Sequence, residues 1–136
     1  MPHTIEHAVP AAVEYCELRV AAGLSPMDEG AAADALPRSL FAVTVRDGGR
    51  LVGMGRLVGD GLHVQVVDIA VHPGHQGRGL GRQVMEHIMD FVHREIPECA
   101  VVSLLADIDW LYQKFGFDLP RRSVGMMLRR RPVPKQ

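Results

Sequence analysis

Cysteine is scarce: Cys16 and Cys99 are the only two in 136 residues. Their separation fits neither a disulfide framework nor a paired metal-ligand spacing. Two isolated thiols in a small domain fit a reducing compartment, so the cytoplasm is the expected location. Aromatic residues make up only 5%, and none interleaves the run Arg129-Arg130-Arg131, so this is not a stacking surface for nucleic acid. Neither sign of charge dominates, the net charge being −1, which also argues against generic nucleic-acid binding. No apolar run approaches the ~20 residues of a membrane span. The start, Met1-Pro2-His3-Thr4-Ile5-Glu6, lacks the basic and apolar stretches of a signal peptide. No repeat, low-complexity tract or Pro/Gly-rich linker divides the chain, so residues 1–136 read as one domain.

What remains is globular composition, 47% hydrophobic and 23% charged. A chain of this length buries roughly 65–70% of its unfolded surface and needs no staples. Charge is unevenly placed. Residues 1–36 carry Glu6, Glu14, Glu17, Asp28, Glu29 and Asp34 against Arg19 alone. Residues 121–136 carry Arg121, Arg122, Arg129, Arg130, Arg131 and Lys135 with no acid. These read as a solvated helix face and a basic tail, the alternative being an acidic edge that attracts a cationic substrate.

Glycine and proline punctuate the chain. Residues 10–22 space Val13, Leu18 and Ala21/Ala22 at helical intervals, and Gly23 ends the segment. Ser25 and Pro26 stand as N-cap and first residue of a second helix, which ends before Pro37. Residues 40–45 and 51–58 are strands joined by the turn Asp47-Gly48-Gly49, and Asp60-Gly61 leads into a third strand over residues 62–71. Gly53 and Gly55 lie inside a strand and mark a bulge or close packing. Leu80, Val84, Ile88 and Phe91/Val92 stripe a long helix ended by Glu95-Ile96-Pro97. Residues 99–105 read as a strand buried on both faces. Asp107 caps a short helix through Tyr112 and Phe115, stopped by Gly116 at a left-handed position. Phe117 and residues 124–128 supply the last strand pairings. Met85, Met89, Met126 and Met127 are expected to fill core gaps. This order of elements predicts a mixed α/β sheet packed between helices.

Between the third strand and the long helix stands His72-Pro73-Gly74-His75-Gln76-Gly77-Arg78-Gly79-Leu80-Gly81. Glycine at 77, 79 and 81 leaves one side of the backbone bare, and the loop runs into a helix N-terminus. Several free N–H groups then aim at one point, which makes an anion site dense enough for a pyrophosphate. The helix dipole adds only ~0.3–1 kcal/mol for an exposed anion, so the N–H bonds must supply most of the binding. Arg78 and Arg82, one turn apart, can reach a further phosphate. The Lys-Ser/Thr ending of a P-loop is absent. The G-x-G-x-G spacing after an antiparallel meander is not the dinucleotide-binding fingerprint either.

Gln76-Gly77-Arg78-Gly79-Leu80-Gly81 resembles the Q/R-x-x-G-x-G/A signature of the GNAT family of N-acetyltransferases. Asp68-Ile69-Ala70-Val71-His72-Pro73 looks like that family's cofactor strand, and Leu111-Tyr112-Gln113-Lys114-Phe115-Gly116-Phe117 looks like its later L-Y-x-x-x-G-F motif. The motifs follow in the right order, and the resemblance covers about residues 50–117. Many members carry an Asn early in the second motif, where this chain has Ala106-Asp107-Ile108-Asp109. The resemblance implies the GNAT fold, a mixed, mostly antiparallel sheet with a splayed central cofactor strand. It implies acetyl-CoA as cosubstrate. Its pantetheine arm would pair with the backbone of Ile69, Ala70 and Val71 in the manner of an added strand. Gln76, Gly77, Arg78, Gly79, Leu80 and Gly81 would hold the pyrophosphate, with Arg82 beside them, and Tyr112 would lie near the sulfur as general acid. The opening Leu18-Arg19…Gly23-Leu24 and the Gly125-Met126 ending are similar to small, arylalkylamine-type members. A small primary amine is therefore the expected acceptor, and a homodimer is a possible assembly.

Acetyl transfer needs a neutral amine and a protonated leaving thiol. A Lys-like amine is almost wholly protonated at pH 7, a deficit of about 4–5 kcal/mol that a base or water chain must offset. A tyrosine can donate to a thiolate across a gap of roughly 1.5 pH units, or about 2 kcal/mol. Asp68 is the only carboxylate on the cofactor strand. It reads either as the base or as a structural acceptor of hydrogen bonds. Gln65 cannot act as a base, and His63 and His72 are the other candidates. His72 and His75 lack a third ligand of suitable spacing, so no metal is expected. Cys99, at the start of a strand expected to be buried, does not suit a nucleophile, so transfer is direct. The alternative is a non-enzymatic acyl-CoA-binding module, with the glycine loop but no working acid or base.

Overall fold

The computed structural model describes residues 3–106 and 110–130. The elements are β1 (His3–Glu6), α1 (Ala12–Ala21), α2 (Glu29–Ala35), β2 (Phe41–Asp47), β3 (Arg50–Gly59), β4 (His63–Val71), α3 (Leu80–Glu95), β5 (Val101–Leu104) and α4 (Trp110–Gln113). Short 3₁₀ turns occupy Leu36–Arg38 and Pro73–His75. The strands lie in the order β1-β2-β3-β4-β5. The first three pairings are antiparallel, and the α3 crossover brings β5 in parallel to β4. The mixed, mostly antiparallel sheet expected from the sequence is present. No helix among the described residues is long and apolar enough to cross a membrane.

Helices cover both faces of the sheet. On one side the α3 stripe, Leu80, Val84, Met85, Ile88, Met89 and Val92, packs on Val43, Val45, Val52, Leu57, Val64 and Val66. On the other, Tyr15, Leu18, Ala32 and Leu36 pack on Leu51, Met54 and Ala70. Both glycines inside β3 do what their position predicted. A Cβ on Gly53 would lie 3.1 Å from Val45 Cβ, and one on Gly55 would lie 2.6 Å from Ile69 Cδ1 and Val84 Cγ1. Their bareness lets β2, β4 and α3 close in on β3.

Several expectations need correction. The second helix starts at Glu29, three residues later than Pro26, because Asp28 is the cap and accepts from Ala31 N at 2.9 Å. Ser25 is instead bound by Arg19. β1 gave no sequence signal: of its four residues only Ile5 is apolar, and it packs on the α3-side core opposite Val45. β5 is not buried on both faces. It ends the sheet, Val101 is 52% exposed and Cys99 is exposed. Residues 124–128 form no strand, and Phe117 N bonds back to Tyr112 O at 3.2 Å. Met126 is 91% exposed, so Met126 and Met127 lie on the surface while Met85 and Met89 fill the core. The segment does not pair with the free edge of β5, and propensity without pairing does not make a strand. Gly116 has the left-handed φ of 91° expected, whereas the Asp107 cap lies outside the described residues.

Candidate active site

β4 pairs with β5 only from His63 to Val66, opposite Val101 to Leu104. Beyond Val66 the two strands part, and residues 67–71 keep β3 on one side and an open edge on the other. The strand is thus splayed where the cofactor strand was expected. Asp68 sits at the parting point with φ +60°, the only left-handed non-glycine among the described residues. That conformation costs a residue with a Cβ about 1–2 kcal/mol. Opposite it the register slips: Met54 faces Ala70 while Arg56 faces Val67. Asp68 and Ile69 therefore share Gly55 as their opposite number, which is a bulge.

The Asp68 side chain is held by three donors. Arg19 Nη1 lies 2.5 Å from Oδ1, while Arg56 Nε at 2.7 Å and the Tyr15 hydroxyl at 2.8 Å reach Oδ2. The side chains of Asp68, Arg19 and Arg56 are 7%, 8% and 13% exposed. Both guanidinium carbons lie within 6 Å of the Tyr15 ring centroid, at 5.9 and 5.7 Å. Burial, and then the neighbouring carboxylate, push the Tyr15 phenol above its ordinary range, which keeps it a proton donor to Asp68. Arg56 also donates to Ser39 Oγ at 2.9 Å, and Arg19 to Ser25 O and Oγ at 2.8 and 3.0 Å. One buried carboxylate thus joins α1, β3 and the α1–α2 connection to the bulge.

A cleft of about 310 Å³ opens where β4 and β5 part. Val66, Val67, Asp68 and Ile69 form one wall, and Leu104, Leu105, Leu111 and Tyr112 another. Arg19, Ala22 and Leu24 close its third side. Tyr112 and Asp68, far apart in sequence, are thereby brought to one cavity. Ala70 is buried against the α1 face and Val71 half-buried at the strand's end. Neither Cys16 nor Cys99 lines the cleft. Burial, with Glu29 nearby, pushes the Cys16 thiol up.

Past the end of β4 comes the glycine loop. Gly77 and Gly79 have φ +80° and +75°, and a Cβ on either would meet no protein atom within 4 Å. Their open side is bare backbone facing free space. Gly79 caps α3, and Gln83 is the first amide to bond back, to Gly79 O at 3.0 Å. The amides of Leu80, Gly81 and Arg82 therefore have no carbonyl four residues earlier in the helix. Gln76 Nε2 donates to Val71 O at 3.1 Å, tying the loop to the strand. A Cβ on Gly81 would lie 3.9 Å from Val71 Cγ2 and 4.0 Å from Leu111 Cδ2, so the loop abuts the cleft. Arg78 and Arg82 are exposed and form no ion pair among the described residues. Desolvation holds His75 below the usual histidine range, with Arg78 adding to the shift and Asp47 opposing it. A pyrophosphate fits this cradle, because its space is empty and its donors are unspent.

Sequence reasoning missed Tyr15, Arg19, Arg56 and Ser25. The signal for Arg19 was present, since it is the one guanidinium among the six acids of residues 1–36. Among the described residues no group of three or more His, Cys, Asp or Glu could hold a metal ion.

Comparison with known proteins agrees with this geometry. The acetyltransferase (GNAT) domain family matches residues 37–119, from before β2 to past α4. A protein of unknown function from meticillin-resistant Staphylococcus aureus, described as a probable acetyltransferase, is 44% identical with a TM-score of 0.87. That match covers 93% of this chain and 98% of the other. The uncharacterized N-acetyltransferase ycf52 of Porphyra purpurea is 35% identical over 71 residues, 50% of this chain and 40% of that protein. The chain therefore matches less than half the length of that relative. YhbS of Escherichia coli, a GNAT family N-acetyltransferase solved with CoA, shares the fold at TM-score 0.70 and 22% identity, covering 88% of this chain and 70% of that one. With a family match that runs through the splayed strand, the glycine loop and the Tyr112 helix, this chain belongs to the GNAT acetyltransferase family.

Proposed function

We propose that the protein is an acetyl-CoA-dependent N-acetyltransferase that moves the acetyl group directly to the primary amine of a small molecule. The observation that carries this reading is one continuous track. It runs from the bare amides of residues 77–82, along the open edge of β4, to the cleft where Tyr112 stands. An extended pantetheine arm suits an open strand edge, and a pyrophosphate suits the loop at its end.

In the transfer step the amine nitrogen forms a bond to the acetyl carbon and the carbon–sulfur bond breaks. Tyr112 would give its phenolic proton to the leaving sulfur, and the nitrogen would lose its extra proton to water. No thiol lies in the cleft, which favours direct attack over a covalent acyl-enzyme. Asp68 is read as an anchor and not as the base. Its two oxygens already accept three hydrogen bonds, two of them from guanidinium groups.

Two variants test the reading. Gly79→Glu places bulk and negative charge in the cradle and should abolish acetyl-CoA binding in calorimetry, with the fold intact. Tyr112→Phe keeps the ring, should keep acetyl-CoA affinity, and should slow single-turnover transfer by about 10²–10⁴-fold. Equal affinity in folded Gly79→Glu would overturn the loop assignment, and an unchanged transfer rate would overturn the acid. A wild type that binds acetyl-CoA but acetylates nothing in a broad amine screen would instead be a binding module.

A further inference from the structure

We infer that Arg19 is a positioning residue that sets the acceptor side of the cleft against the cofactor strand. The inference rests on acetyl transfer taking place at this cleft. Ala22 and Leu24 form the wall facing Val66 to Ile69, and they belong to the connection between α1 and α2. The backbone amides of residues 22–24 bond back to their own helix: Ala22 N to Leu18 O, Gly23 N to Val20 O and Leu24 N to Arg19 O, at 2.9, 3.1 and 2.8 Å. Among the described residues the polar tie from Ser25 across to β4 runs through one planar group. Arg19 holds Ser25 O and Oγ with Nε and Nη2, and Asp68 Oδ1 with Nη1. Asp68 is the residue at which β4 leaves β5 and the cleft begins. The guanidinium therefore fixes the distance between the wall and the strand, and its fork shape lets one group satisfy both sides. Arg19 is nine-tenths buried and cannot turn to water without breaking the set.

The two other donors to Asp68 make the role separable. Arg56 and Tyr15 still hold the bulge if Arg19 changes, so the cofactor edge of β4 persists. A lysine keeps the charge beside Asp68 but has no fork, so it cannot hold Ser25 as well. Arg19→Lys should raise the acceptor KM by about 10–100-fold, the loss expected for charge-assisted hydrogen bonds. Its acetyl-CoA Kd should stay within about 3-fold of wild type, because the loop and the β4 edge are untouched. Ser25→Ala removes one acceptor and should give the same pattern more weakly. Tyr15→Phe removes a bond to Asp68 but none to Ser25, and should leave the acceptor KM unchanged.

The experiment measures acceptor KM, kcat, acetyl-CoA Kd and hydrogen exchange at the amides of residues 22–25 in these four proteins. A KM effect confined to Arg19→Lys and Ser25→Ala, with faster exchange at residues 22–25 and unchanged exchange in β4, supports the role. A fall of both affinities together, or an unchanged KM in folded Arg19→Lys, overturns it. If the wild type binds acetyl-CoA but acetylates no amine, the functional reading fails. Exchange then decides the positioning role alone: faster exchange at residues 22–25 in Arg19→Lys sustains it, and identical exchange overturns it.

Discussion

Replacing Asp68 by asparagine changes its charge and almost nothing else. Asn has the same shape and tolerates the left-handed backbone that position 68 requires. In the wild type one carboxylate answers two guanidinium groups, at 2.5 and 2.7 Å, all with side chains no more than 13% exposed. In Asp68→Asn the amide oxygen can accept from one arginine, but the NH₂ group then faces a second donor. Two buried cations are left without a counter-charge. Removing one partner of a buried ion pair costs about 3–5 kcal/mol. The Tyr15 hydroxyl can turn and accept from the amide, which moves the expectation toward the lower end. Against the roughly 5–15 kcal/mol of an ordinary domain, the variant stays folded at 25 °C. It should melt roughly 10–20 °C below wild type. Urea unfolding followed by circular dichroism measures the loss directly. Adding Arg56→Met to Asp68→Asn should restore part of it, because one uncompensated cation is gone. Were Asp68 a base without a structural role, the single variant would melt like the wild type and lose only turnover. A loss below about 1 kcal/mol, the size of an exposed ion pair, would refute the anchoring argument.

Two further outcomes follow from the same strands. Gly55→Ala forces a methyl to within 2.6 Å of Ile69 Cδ1 and Val84 Cγ1, and should destabilise by about 1–3 kcal/mol in chemical unfolding; a neutral result would show that β3 and α3 are not closely packed there. Tyr15 ionises above its ordinary pKa, so its contribution to stability is complete below the unfolded-state value near 10 and is lost as pH rises through the folded value. Ultraviolet titration should show a phenol that ionises above the ordinary range and vanishes in Tyr15→Phe, and a raised phenol that persists in Tyr15→Phe, or its absence from the wild type, would contradict the burial of Tyr15.

The readable parts of the sequence were the ones whose physics is local. The Asp47-Gly48-Gly49 turn, the α3 stripe and the left-handed Gly116 each carry their signal within a few residues, and all three stand where expected. The glycine loop was legible for the same reason, since bare backbone before a helix is a chemical statement in itself. The errors were non-local. β1 is a strand only because β2 offers it an edge, and residues 124–128 have strand composition but do not pair with any strand. β5 looked buried because its residues are apolar, but its place at the end of the sheet leaves Val101 half in solvent. Asp68 was visible as the one carboxylate on its strand. Its meaning was not, because Tyr15, Arg19 and Arg56 lie 53, 49 and 12 residues away.

With Asp68 held by two arginines, the proton on the attacking amine has no evident taker among the described residues. His63 is exposed and does not line the cleft. His72 is committed to the loop, accepting from Gly74 N at 3.0 Å through Nδ1 and facing Arg50 Nη2 at 3.3 Å through Nε2. The acceptor should therefore attack the acetyl carbon as the small fraction that is already neutral in solution. That makes a sharp kinetic statement. The value of kcat/KM should rise tenfold per pH unit below the acceptor's own pKa and level off at it. Changing the acceptor should move the break: an alkylamine should level off near pH 10, and an amine with a pKa near 7 should level off about three units earlier. Steady-state rates over pH 6 to 10 for two such amines measure this directly. A break that stays at one pH for both acceptors would report an enzyme group and not the substrate. That result would refute the unassisted reading and place a base in the cleft.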